Sequence, residues 1–455
     1  MEEIRVLATC ALGLGFSYKG FEAGLRMEPH LIACDAGSAD FGPYYLGSGQ
    51  PQKSAVSLKR DLALLIGGAR RLGVPFMTGS VGGAGGAPHL EATVELVREI
   101  ARENDLHFKL AAISAVIPTE TVQARIREGK VSAVGLIEPL TEEAAGRSAA
   151  TVGMMGAEPY IRALEMGADV IIAGRSTDPA IFVAPALMAG LDPGAVWHAA
   201  KCIDKGYLAT TRPQDGSPVL ARIRNGEFIV TPTRENSYCT VATVANITLH
   251  ENPNPFLVAQ PTGVIDSSQA VYEQIDEFSV RVSGSLYRPA ETPTIKLEGA
   301  ELVGYRNLLI AGIRDPRVVP RMDEFLQIYR AAIASAAHSL KISEDDYQLQ
   351  FRVYGKDAVM GAFEPVKTPA HEVGLIVDVV GRTPQIASAI ATRLGPTGSR
   401  LDITGGGLGG GGNFAYPFSP SKVDMGAAYS WGIWHLMQVS QAELTDLFPI
   451  TMYEL

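Results

Sequence analysis

Three aspartates, an arginine, a histidine and two runs of glycine carry most of the chemistry that the residue types of this chain could perform. Asp35 and Asp40 bracket the segment Asp35-Ala-Gly-Ser-Ala-Asp40, and Arg175 and Asp178 lie in Gly174-Arg-Ser-Thr-Asp-Pro179. Carboxyls of this kind can give or take a proton at a reacting centre. A guanidinium can hold a carboxylate or phosphate by two hydrogen bonds. In Thr78-Gly-Ser-Val-Gly-Gly-Ala-Gly-Gly-Ala-Pro-His-Leu-Glu91, an apolar strand gives way to an amphipathic helix, and Pro88 suits that helix's first turn. Ser80 and the amides of Gly82, Gly83, Gly85 and Gly86 would then face an anion at the helix's positive end. His89 titrates near neutral pH and is a candidate acid or base. Each feature also has a structural reading: tight packing for the glycines, an ion pair for Arg175, an N-cap for Asp178 before Pro179, and a satisfied core position for His89. The candidate catalytic residues are therefore Asp35, Asp40, Asp178 and His89.

These side chains need strands and helices to bring them together. The apolar runs Ile4–Thr9, His30–Cys34, Val74–Thr78, Phe108–Ile113, Val131–Ile137 and Asp169–Ala173 read as strands. Helical patterns at Ser54–Leu72, Ala87–Asn104, Thr119–Glu128 and Ala157–Met166 lie between them. Such alternation predicts an α/β fold with a mainly parallel sheet and flanking helices, doubly wound and Rossmann-like, rather than an eight-stranded barrel. Ligands in such sheets bind beyond the carboxyl ends of the strands, which is where Asp35, the 78–91 loop and Arg175 fall.

After a boundary between Gly190 and Gly206 the pattern changes, dividing the chain into residues 1–200 and 201–455. Val219–Ile223, Glu227–Pro232, Val241–Leu249, Phe278–Gly284, Thr294–Leu297 and Glu301–Ile313 read as strands, with Asn225-Gly226 a hairpin signal. A helix at Pro320–Leu340, strands at Gln348–Tyr354 and Glu372–Val380 and a helix at Thr383–Leu394 complete an α+β pattern. The second glycine-rich stretch, 404–413, holds seven glycines in eight residues before aromatic and proline residues. It is either a flexible loop or a cover for the active site, with Asn413 stabilising developing negative charge.

The 455 residues, 46% hydrophobic and 19% charged, suffice for two folded domains. A net charge of −10 argues against nucleic-acid or anionic-membrane partners, but leaves small acidic substrates open. Cys10, Cys34, Cys202 and Cys239 show no zinc or disulfide spacing, which fits reduced thiols in a cytoplasmic protein. The amino-terminal residues show no signal segment, and no apolar stretch approaches the about 20 residues that span a bilayer. Gly407-x-Gly409-x-x-Gly412 matches the dinucleotide fingerprint only formally, because Pro417 and Pro420 preclude the following helix. Gly-Lys-Ser/Thr, Gly-x-Ser-x-Gly and His-Glu-x-x-His are absent. No cofactor is expected, although a divalent ion on Asp35, Asp40 and Asp178 is a further option.

Taken together, the Gly79–Pro88 loop, Ala157-Glu-Pro-Tyr-Ile-Arg-Ala-Leu-Glu-Met-Gly-Ala-Asp-Val-Ile-Ile-Ala-Gly-Arg-Ser-Thr-Asp-Pro-Ala180 and Val303-Gly-Tyr-Arg306 resemble the acyclic terpene utilisation AtuA family. The resemblance covers most of residues 4–440, and Gly-Arg-x-x-Asp-Pro-Ala at 174–180 is its most specific piece. It implies a place in acyl-CoA or hydroxy-acid catabolism and a small partner subunit. Ser-Ala-Asp-Phe-Gly-Pro-Tyr at 38–44 departs from members of terpene pathways, so a terpene substrate is not expected. With no nucleotide, haem or iron–sulfur signature, the expected activity is acid–base chemistry: a lyase (hydratase or dehydratase) or isomerase acting on a hydroxy acid or acyl-CoA thioester. Arg175, Ser80 and the loop glycines would hold the anionic group. The alternative is a non-catalytic subunit or metabolite-binding module. A homo-oligomer is expected in either case.

Overall fold

The computed structural model describes residues 2–9, 11–249, 252–403 and 413–455. Residue contacts group the chain into two units, Met1–Glu301 with Trp431–Leu455, and Leu302–Ser430.

The first unit is built on β1 (Ile4–Ala8), β2 (Leu31–Ala33), β3 (Phe76–Thr78), β4 (Lys109–Ile113) and β5 (Val170–Ala173). These five pair in parallel in the order β1-β2-β3-β5-β4. Their alternate residues Leu7, Ile32, Phe76, Leu110 and Ile172 share one apolar cluster with helices α1 (Tyr18–Leu25), α2 (Ala55–Leu72) and α3 (Ala87–Asn104). Side chains on a strand alternate between faces. Val6, Ala8, Ala33, Met77, Ile171 and Ala173 therefore face the other way, and all are inaccessible to solvent. On that side α5 (Ala180–Met188) lies along β1–β3, preceded in the chain by α4 (Glu158–Glu165) and followed by α6 (Pro193–Ile203).

The sheet is mixed rather than parallel throughout. β6 (Val219–Arg224) joins β1 antiparallel, and β7 (Glu227–Pro232), β8 (Val271–Gln274) and β9 (Val280–Ser283) extend it in the order β8-β9-β7-β6-β1. At the opposite edge Ile450–Glu454 pairs antiparallel with β4. The change of pattern near residue 200 is thus the point at which the chain begins adding hairpin strands to the same sheet.

Two sequence expectations are corrected. Val241–Leu249 is not a strand but a helix, Val241–Asn246, with a following 3₁₀ turn. Thr240 caps it by accepting from the Thr243 N–H at 3.1 Å, while Thr243 Oγ1 accepts from the Thr240 N–H at 2.9 Å. This reciprocal cap outweighs the β-branched composition. Of Val131–Ile137 only Val131–Ala133 is strand, and it pairs with residues 435–437 instead of entering the main sheet.

In the second unit, residues 305–313 of β10 (Thr294–Ile313) pair antiparallel with β12 (Val373–Gly381), which pairs with β11 (Tyr347–Tyr354). The runs expected as two strands at 294–297 and 301–313 form this one strand. Helices α7 (Met322–Ser339) and α8 (Pro384–Arg400) pack Phe325, Tyr329 and Leu394 against Leu375 and Val377. Residues 404–412, the proposed cover, lie outside the described residues.

Candidate functional site

Alternation carried one step past the strands sets Asp35, Gly79 and Arg175 on the α5–α6 face at the carboxyl ends of β2, β3 and β5. The strand spacing persists there, since the Ala36 N–H donates to Gly79 O at 3.1 Å and the Ser80 N–H to Gly174 O at 2.7 Å. Helix α6 enters the same region. Asp192 caps it, accepting from the Ala195 N–H at 3.1 Å, and every residue from Gly194 to Ile203 is buried. Just past its end Gly206 runs close to β1, where an added Cβ would lie 3.2 Å from Thr9 O. This brings Lys205 over the strand ends.

The Lys205 ammonium donates to Asp178 Oδ2 at 3.2 Å and to Asp35 Oδ2 at 3.5 Å. The three side chains are 13%, 20% and 5% exposed respectively, so the cluster is nearly dry but opens at Asp178. Burial pushes the Asp35 carboxyl up to about 6 against the pull of Lys205, with the Asp178 charge adding to the rise. Burial also acts upward on Asp178, but Lys205, Arg175 and Lys201 outweigh it and hold that carboxyl below its ordinary range. Two neighbouring carboxyls are thereby set to different proton affinities, a pattern that divides acid and base roles between them. Asp178 does not cap α5: Pro179 is the cap residue, with no side-chain cap.

Arg175 is buried and engaged by an acid. Its Nε and Nη2 donate to the Glu298 carboxylate at 2.9 and 3.3 Å, and its Nη1 donates to Ser80 Oγ at 3.1 Å. Lys296 also donates to Glu298 at 3.0 Å and stacks on Trp434, 3.2 Å from the ring centre. Burial presses Glu298 upward, and Arg175 and Lys296 together carry it below the usual range. The guanidinium expected to hold a substrate anion thus makes the structural ion pair that was its other reading.

The glycine loop is a packing device. Residues Ser80–Gly86 are all buried. An added Cβ on Gly37 would sit 2.2 Å from Gly83 O, and one on Gly85 2.2 Å from Arg175 N. Gly82, Gly83 and Gly85 have positive φ, as does Ser80 at 53°. The amides of Gly83 and Gly85 already donate to Ser80 O and Val81 O, at 3.1 and 3.0 Å. His89 fixes the loop's end: its Nδ1 accepts from the Gly86 N–H at 3.1 Å and its Nε2 lies 2.9 Å from Gln50 O. Both nitrogens are occupied, and burial lowers its proton affinity, so the neutral tautomer with Nε2–H donating fits. Gly85→Ala is expected to destabilise the protein by about 3–5 kcal/mol, from left-handed strain plus a backbone clash. Gly167→Ala, with φ +83° but no atom within 4 Å, should lose only about 1–2 kcal/mol. Chemical denaturation of the two variants checks the difference.

The remaining expected residues lie apart. Asp40 is exposed and accepts from the Ser38 hydroxyl. Among the described residues no group of three or more His, Cys, Asp or Glu side chains could hold a metal ion, and the Lys205 ammonium stands between Asp35 and Asp178. Asn413 belongs to the second unit, where its Nδ2 donates to Leu401 O at 2.7 Å and Gly398 O at 3.3 Å at the end of α8. Lys205 and Glu298 were missed by the sequence reading. The signals that could have found them were charges in an apolar helix, Lys201-Cys-Ile-Asp-Lys205, and the polar alternation Lys296-Leu-Glu298.

Cys34, Cys202 and Cys239 are buried, and among the described residues no helix is long and apolar enough to cross a membrane. No curated protein and no solved structure matches the chain. The family model described as "Acyclic terpene utilisation family protein AtuA" matches residues 81–190 and 205–409, spans that contain Arg175, Asp178, Lys205 and Glu298. The chain therefore belongs to the AtuA family.

Proposed function

We propose that the protein is a lyase of the hydratase or dehydratase type, or an isomerase, acting by acid–base chemistry on a small hydroxy acid or acyl-CoA thioester. The observation that carries this reading is one lysine amine shared by two buried carboxyls of opposite proton affinity shift. In dehydration, the Asp178 carboxylate takes the proton next to the acid or thioester carbonyl. The C–H electrons form the C=C bond, and the C–O bond breaks as Asp35 protonates the departing hydroxyl to water. Hydration is the reverse, and isomerisation returns the proton at another carbon. The Lys205 ammonium offsets the negative charge that develops on the carbonyl oxygen. The same reading treats β1-β2-β3-β5-β4 as a doubly wound, Rossmann-like core, supported by helices on both faces. It takes the C-terminal α+β domain, expected over residues 201–455, to be the contact unit Leu302–Ser430. It also proposes a cytoplasmic homo-oligomer working with a small partner subunit.

Asp35→Asn tests the assignment. It is expected to lower kcat/KM on the active substrate by about 10²–10⁴-fold and to abolish a limb of the pH–rate profile near 6. A carboxyl whose folded-state pKa is raised to about 6 binds its proton more tightly than in the unfolded chain, so it erodes stability as pH rises from about 4 to 6. The Asn variant should accordingly keep or gain Tm at pH 7. Unchanged turnover in the variant would sink the site. Stabilisation by these metabolites without any turnover would instead favour a non-catalytic, metabolite-binding subunit.

A further inference from the structure

Gly79 lies on the strand next to Asp35, between it and Arg175, and on the same face. The space its side chain would occupy is not empty. A Cβ built there would fall 2.5 Å from the Tyr160 hydroxyl and 2.2 Å from Ser176 Oγ. Tyr160 reaches in from the first turn of α4, and its side chain is wholly buried. Its hydroxyl makes no hydrogen bond of acceptable geometry among the described residues. A buried hydroxyl without a partner weakens a fold, so such groups call for a ligand or an ordered water. Burial, opposed by the neighbouring Ser176 hydroxyl and reinforced by the Asp35 charge, raises the phenol far above its ordinary range, so it remains a proton-bearing donor at any working pH.

We propose that Tyr160 donates a hydrogen bond to the substrate oxygen that departs or gains negative charge at the Asp35–Lys205–Asp178 cluster, making it a fourth group of the site in direct contact with substrate. This rests on the acid–base reading above and narrows the substrate to one presenting a hydroxyl or carbonyl oxygen over Gly79. Gly79 is what gives the phenol access, since any side chain at that position would displace it.

The test compares wild type with Tyr160→Phe, using crotonyl-CoA hydration and L-malate dehydration as probe reactions together with the Tm of each ligand-free protein. The expected result is a Tm equal to or above wild type, because a donor without a partner is removed, and a kcat about a hundredfold lower with KM little changed. A Tm several degrees below wild type would make the hydroxyl structural and overturn the proposal, as would an unchanged kcat. Wild type inert to both probes would count against the acid–base reading. The Tm comparison would then decide Tyr160 alone: an equal or raised value supports a ligand-facing hydroxyl, and a drop overturns it.

Discussion

Arg175→Met is expected to lower stability by about 3–5 kcal/mol, the loss that follows when one partner of a buried ion pair is removed. Glu298 is 2% exposed, and without Arg175 it would keep only Lys296 to offset its charge. Replacing both residues, Arg175→Met with Glu298→Met, should recover most of the loss, because the one charge then left without its partner, Lys296, is 22% exposed and can reach water. A substrate clamp would behave differently: the single variant would denature with wild type and lose only ligand binding. Denaturant midpoints of the single and double variants separate the two, and a single-variant loss below about 1 kcal/mol would contradict a structural role.

Lys205→Met should be severe at neutral pH and mild in acid. Without the ammonium, the buried Asp35 and the partly exposed Asp178 lose the cation they share, Arg175 and Lys201 compensate only in part, and the folded-state pKa of each rises. A raised carboxyl pKa means that the folded state binds more protons than the unfolded chain, so stability is retained at low pH and lost as pH rises through the raised values. The variant should be about 3–5 kcal/mol less stable than wild type at pH 7.5 and approach it near pH 4. Turnover should be lost at both. A Tm deficit that does not narrow on acidification would show that Lys205 does not hold these two carboxyls.

The residues that the sequence alone brings to one edge, Asp35, Ser80, the loop glycines, Arg175 and Asp178, do meet at the carboxyl ends of neighbouring strands. They were legible because strand-to-helix punctuation is local: apolar run, small residues, then Pro88 or Pro179. Partnership is not local. Glu298 is 123 residues from Arg175, and no pattern within either segment announces the other. Lys205 follows a helix that buries all its sides, so no amphipathic pattern in its own segment shows where its charge goes. In the antiparallel half of the main sheet, β6, β7 and β9 were read as strands but assigned to a different domain, and Val271–Gln274 and Ile450–Glu454 were not read at all, because hairpin signals reveal a strand's direction but not its neighbour. At Val241 a pair of threonines three residues apart, Thr240 and Thr243, decided for helix over strand.

Five of the eight residues from Gly79 to Gly86 are glycine, and neighbouring segments close directly on them, Tyr160 and Ser176 on Gly79 and the Arg175 backbone on Gly85. Glycine surrenders more conformational entropy on folding than any other residue. That loss is incurred once, when the main sheet forms, and is met by the burial of the strands and helices around it. A wall built mostly of glycine has few rotamers left to freeze when a ligand arrives. Under the proposed function, binding against this wall meets little ordering penalty, and differences in affinity among ligands should originate in Lys205, its two carboxyls and Tyr160 rather than in the loop.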